Sequence, residues 1–267
     1  MSIGDLLRRG LAAGAAAGCL AAVWLLLITE RSIKAALRIE DARNALAQAT
    51  MKAHQGHVHA EDELVTHDQQ IVFAVLALVV VGALLGLVFA VVYAAARTRL
   101  PGYHDTTKAL ALGGIAFFAV TLFPFIAIPG NPPAVGDPST INERTVIYLG
   151  AISLGILLVL AAFALDKALV GQVHSGLRTV LVLAFVVLAG TGLQLLIPNT
   201  PDAIQSKDFA LQGNLSLNAS PELIWNFRMA SLGQYVVLWG ALAAFFGALI
   251  TRKAEQSLTA DRETVSA

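Results

Sequence analysis

The sequence predicts an all-α integral membrane protein: a polytopic bundle of about six transmembrane helices with both termini on the cytoplasmic side (N-in/C-in). Three observations predict it. The composition is 57% hydrophobic and 13% charged with a mean hydropathy of +0.70, which belongs to polytopic membrane proteins rather than to soluble domains. Six apolar runs, at about 11–29, 71–96, 109–128, 145–165, 179–197 and 229–250, are each about long enough to cross a bilayer. The basic residues are unevenly spread. With the N-terminus inside, the cytoplasmic pieces hold ten Lys and Arg in 52 residues, against eight in 88 on the opposite side.

In chain order, Arg8 and Arg9 precede the first run. Ala16-Ala17-Gly18-Cys19 has the look of a lipoprotein cleavage box, but the run continues ten residues past Cys19, longer than a cleaved signal core, and is expected to be a retained helix. Gly10, Gly14 and Gly18 recur every fourth residue and leave one face nearly flat, as close helix packing requires. Residues 30–70 follow as a polar loop, expected to be external, whose first part from Ser32 to Ala53 has helical composition. The second run carries Gly82-xxx-Gly86, another small-residue face.

Residues 129–144 form a proline-rich hairpin, and four of the nine prolines lie between Pro129 and Pro138. Pro129-Gly130 signals a turn, and Asn131-Pro132-Pro133 is biased to an extended chain, because each proline fixes its own φ and restrains the residue before it. Asp137-Pro138 reads as an N-cap followed by proline at the first helical position, and Thr140-x-x-Glu143 fits a second start, a capping box. A fourth helix from Pro138 would be roughly 42 Å long against a hydrocarbon core of about 30 Å, so its first turns are expected in the interface, with Thr140, Arg144 and Tyr148 on one face. Six spans place the loop 30–70, the hairpin and the connection 198–228 on the same side. The connection lengths do not repeat between halves, so an inverted-repeat plan finds no support.

His54, His57, His59 and His67 fall within fourteen residues, interleaved with Glu61, Asp62, Glu63 and Asp68. Imidazoles and carboxylates are the ligand types for divalent Co, Ni, Zn or Cu, and His57 and His59 point the same way in an extended chain. The candidate metal ligands are His54, His57, His59, His67, Glu61 and Asp62. The spacing matches no zinc finger or metalloprotease motif, and a solvated loop with incidental histidines is the competing reading. Asn131, Pro132, Pro133, Asp137, Glu143 and Arg144 are candidates for the mouth of a pathway, or else a helix cap with interfacial anchors. Asn226 and Arg228, placed before the sixth run, are equally open. Trp225 and Trp239 read as interface or packing aromatics.

Other classes are excluded. The eighteen basic and eighteen acidic residues cancel, so charge gives no argument for nucleic acid. One cysteine, Cys19, allows neither an internal disulfide nor a cysteine-rich metal cluster. There is no P-loop motif, no nucleophile paired with a base, and no intramembrane histidine pair for haem, so neither an enzyme nor a permanently bound cofactor is expected. No charged residue or histidine lies in the central part of a predicted helix, which argues against a proton relay through the lipid core. Thr121, Ser153, Thr191 and Gln194 are the few polar pathway candidates, and interhelical hydrogen bonds explain them equally well.

The first span with its histidine-containing loop, then Phe123-Pro124-Phe125 and IPGNPPAVGDPSTINERTVIY at 128–148, resembles the CbtA family of predicted cobalt transporter subunits. The resemblance implies a multi-pass protein of the inner (cytoplasmic) membrane that serves cobalt supply for cobalamin biosynthesis. It implies Co2+ as the transported ion and a small single-span membrane partner of the CbtB type. The metal role then falls on His54, His57, His59 and His67, and the proline-rich loop on Asn131, Pro132, Pro133, Gly136, Asp137 and Pro138. A non-transport scaffold or assembly subunit whose histidine loop docks a partner, and a transporter of another cation such as nickel, are the alternatives.

Overall fold

The computed structural model describes residues 2–53, 66–133, 135, 140–198 and 220–266. Among them the protein is helical, and six helices are long and apolar enough to cross a membrane. α1 (Ile3–Trp24) passes through a π-helical turn (Leu25–Thr29) into α2 (Glu30–Ala53) without a break. Then follow α3 (His67–Ala96), α4 (Asp105–Ala116), a second π-helical stretch (Phe117–Leu122), α5 (Phe123–Ala127), α6 (Ile141–Leu169), α7 (Ser175–Leu196) and α8 (Pro221–Ser266).

Each expected span is present, but the helices overrun the apolar runs. α1 begins at Ile3 with Ser2 as N-cap, and α8 begins at Pro221 rather than at Met229, because polar first turns are as helical as the apolar turns behind them. Helix α2 bears out the helical composition of 32–53. Thr140 is the N-cap of α6 but makes no side-chain capping bond, so the expected Thr140–Glu143 box is not formed; the alternative start at Asp137-Pro138 lies outside the described residues.

The chain divides into two compact units, Met1–Arg31, Gln55–Gly114 and Leu232–Ala267 in one, Ser32–His54 and Ile115–Ser231 in the other. The first unit is built on glycine. A Cβ on Gly82 would stand 2.5 Å from the carbonyl oxygen of Gly14, and one on Gly10, Gly14, Gly18 or Gly86 would collide in the same way with backbone across the α1–α3 interface. The two four-residue glycine spacings thus face each other, and backbones meet where lipid offers no hydrophobic drive to bring larger side chains together. Phe246 of α8 packs edge-on against Phe89 and Tyr93 of α3, with ring centroids 5.4 and 5.2 Å apart. Trp239 is buried and Trp225 exposed, which separates their packing and interface roles.

In the second unit Pro124 explains the π-helical stretch. Proline has no N–H and its ring clashes with the carbonyl four residues back, and a wider π turn relieves both, the N–H of Phe123 bonding to the carbonyl of Phe118. The side chain of Gln194 in α7 donates to the carbonyl of Phe123 at 2.7 Å, and Gly155 of α6 leaves room for the backbone of Ala119. α7 presents most of its leucines and valines outward and, with α6, borders an apolar groove of about 630 Å³.

Candidate functional site

The candidate residues that meet other polar groups do so chiefly in two places, one in each unit. The first is organised by the π-helical turn at Leu25–Thr29. An extra residue in one turn shifts the helical phase, so that Leu26, Leu27 and Ile28 face outward while Thr29 and Glu30 turn inward, 3% and 7% exposed. Thr29 Oγ1 donates to Gln234 Oε1 at 3.3 Å. Glu30 Oε1 lies 2.8 Å from His67 Nε2, and a buried carboxylate needs such a partner. His67 is itself held in place. It is the first residue of α3, directly after a formed capping box in which Thr66 and Gln69 satisfy each other's backbone N–H groups. The Nδ1 atom of His67 is buried and has no hydrogen-bond partner among the described residues.

Of the six expected metal ligands, then, the structure positions His67, on a helix and against Glu30. His54, His57, His59, Glu61 and Asp62 lie outside the described residues. Among those described, no three His, Cys, Asp or Glu side chains stand together as a metal site. Glu30 is the residue that sequence reasoning missed. Its signal was its place as the first charge after the apolar run 11–29, where a carboxylate must either reach water or find a partner.

The second place is the proline-rich hairpin. α5 ends at Ala127, Ile128 leaves helical geometry, and Pro132 is fully buried. The N–H of Val135 closes a turn onto the carbonyl of Pro132 at 3.2 Å. Arg228 spans the loop: Nε donates to the carbonyl of Gly130 at 3.3 Å and Nη2 to Asn131 Oδ1 at 2.8 Å. Gly130 and Asn131, just ahead of Pro132 and Pro133, are therefore held in one clamp whose other half is a helical arginine. Because α8 starts at Pro221, Arg228 is in its second turn, not in a loop ahead of it. Glu143 is exposed in the first turn of α6, Arg144 half-buried beside it, and Asp137 lies outside the described residues.

The remaining polar candidates divide. Gln194 holds helices together through Phe123, Ser153 bonds back to the carbonyl of Leu149, Thr121 is buried in the π-helical stretch, and Thr191 is exposed.

A family model described as "Probable cobalt transporter subunit (CbtA)" matches residues 3–251. No curated protein and no solved structure matches the chain.

Proposed function

The chain belongs to the CbtA family, and on that premise we propose that it is the multi-pass subunit of a cobalt uptake system in the inner (cytoplasmic) membrane. The observation that carries the reading is the family match over nearly the whole chain, joined to six spanning helices. With both termini inside, as the basic residues favour, the histidine segment, the hairpin and the 198–228 connection face outward. His54, His57, His59 and His67, with Glu61 and Asp62, act as a capture arm for the ion. Their nitrogen and oxygen donors suit a divalent first-row cation, and weak multi-ligand binding suits an arm that must also release. Asn131, Pro132, Pro133, Asp137, Glu143 and Arg144 serve the mouth of the pathway, a reading supported by the bonds of Arg228 to Gly130 and Asn131. A small single-span subunit of the CbtB type completes the system.

The test is labelled cobalt accumulation in cells lacking their own uptake systems, with the small subunit co-expressed and membrane levels matched. The native chain should accumulate cobalt, and the His54/His57/His59/His67→Ala variant should lose most of it. Equal accumulation in both would remove the arm and keep the transport. No accumulation of cobalt, nickel or zinc by the native chain would leave the scaffold reading. Capture should also fade as the medium is acidified, because a protonated histidine has no lone pair for the ion.

A further inference from the structure

The short connection between α3 and α4 belongs to a surface that the first unit assembles from four helices. A Cβ on Gly10 would meet the carbonyl of Gly86 and the side chain of Ala90, so the first turns of α1 lie beside the last turns of α3. Arg9 donates to the carbonyl of Leu249 in α8. Thr106, in the first turn of α4, bonds to the carbonyl of Gly247 at 3.2 Å and to the hydroxyl of Thr251 at 2.8 Å. The Tyr93 hydroxyl donates to Asp105 Oδ1 at 2.7 Å. The start of α1, the end of α3, the start of α4 and the adjoining turn of α8 are thereby fixed as one face.

That face is basic. Residues 2–10 and 93–108 carry Arg8, Arg9, Arg97, Arg99 and Lys108 against Asp5 and Asp105. Arg8, Arg97 and Arg99 are exposed, whereas both acids are half-buried and Asp105 is held by the Tyr93 hydroxyl. At the other end of the same unit the described charges are Glu30, Arg31 and Asp68. Membrane orientation alone does not account for the arrangement, because the rule that sorts basic residues to one side is nearly indifferent to Asp and Glu and does not require the acids to be drawn in. Apolar side chains begin directly behind the bases: Leu11, Val91, Val92 and Leu110 are all exposed on spanning helices, where their neighbour is lipid. Tyr103, between Arg99 and Lys108 in the chain, is 98% exposed. A ring with an apolar body and a polar tip takes such a place at the headgroup level of a bilayer.

We propose that this face binds the headgroups of anionic phospholipids in the adjoining leaflet, with Arg8, Arg97, Arg99 and Lys108 on the phosphates and Tyr103 seated among them. Guanidinium groups match phosphate oxygens with two parallel N–H bonds, and lysine adds a point charge. The exposed apolar turns behind the bases supply acyl-chain contact, which a free phosphate ion would not use. A negatively charged leaflet attracts a juxtamembrane basic cluster of this kind over about a Debye length. Such binding depends on the spanning helices and on no property of the transported ion.

The test reconstitutes the full-length chain in phosphatidylcholine vesicles that carry traces of spin-labelled phosphatidylglycerol or spin-labelled phosphatidylcholine, and reads by electron spin resonance how much of each the protein immobilises. The native chain should prefer phosphatidylglycerol about two- to fivefold, since one basic contact near the surface supplies about a fivefold gain and not every lipid around the bundle meets one. Added sodium chloride should lower the preference. Arg8/Arg97/Arg99/Lys108→Gln should bring it to about one, while Arg31→Gln, at the other end of the unit, leaves it unchanged. Equal immobilisation of both lipids by the native chain, or a preference that survives in the fourfold variant, would overturn the proposal. Sodium phosphate should act no more strongly than sodium chloride of equal ionic strength; a preference abolished by phosphate alone would mean a site for the free anion and would equally overturn it. If the fourfold variant does not reconstitute, Arg97/Arg99→Gln takes its place and should remove about half of the preference, an unchanged ratio then being the contrary result.

Discussion

Glu30–His67 and Asn131–Arg228 are both pairs of polar groups joined at 2.8 Å near the end of an apolar helix, and they differ in burial: Glu30 is buried, whereas Asn131 and Arg228 are both half-buried. In the first, a buried carboxylate meets an imidazole and ties the end of the first apolar run to the start of α3. In the second, a guanidinium donates to the carbonyl of Gly130 and to the amide oxygen of Asn131, and so ties a connecting loop to a helix. The buried charge therefore lies at the Glu30–His67 pair, although the prolines were the more conspicuous feature in the sequence.

Three substitutions would break or sharpen this contrast. The largest effect is expected from Arg228→Met, which removes two charge-assisted hydrogen bonds, each worth roughly 1.5–3 kcal/mol. Thermal stability should fall and the hairpin should become protease-sensitive, while Co2+ affinity of the purified chain stays within twofold of native. A tenfold loss of affinity would mean that the clamp is part of the binding site. Thr66→Ala is expected to cost about 1 kcal/mol by removing the cap of α3. Amide exchange in the first turn of α3 should quicken, and cobalt binding through His67 should weaken. Unchanged binding with a frayed first turn would show that the ring does not depend on its helix. The smallest effect is expected from Asn131→Asp, which turns a half-exposed hydrogen bond into an ion pair worth about 0–1 kcal/mol. Cobalt accumulation should match native; an increase in cobalt affinity would contradict the clamp role.

Local pattern made much of this legible. The four-residue spacing of Gly10, Gly14 and Gly18 and of Gly82 and Gly86 specifies two flat helix faces, and both are used, against one another. Hydropathy placed all six spans, because a helix in lipid must satisfy its own backbone and so declares itself by length and composition. Pattern failed at the boundaries. α8 begins eight residues before its apolar run, which hid Arg228 inside a helix, and α1 continues through Glu30, which hid a buried carboxylate in what read as the start of a loop. Nothing in the residues near Leu25 announces a π-helical turn, yet it is that turn which faces Glu30 inward.

The sequence by itself determined that this chain is a six-span membrane protein with glycine-faced helices, a proline-rich stretch and a histidine-bearing segment, since each is a property of neighbours along the chain. Only the tertiary structure decided which polar groups meet. Glu30 and His67 are 37 positions apart and Asn131 and Arg228 are 97 apart, and whether such groups pair depends on helix phase and crossing, to which a hydropathy pattern is blind.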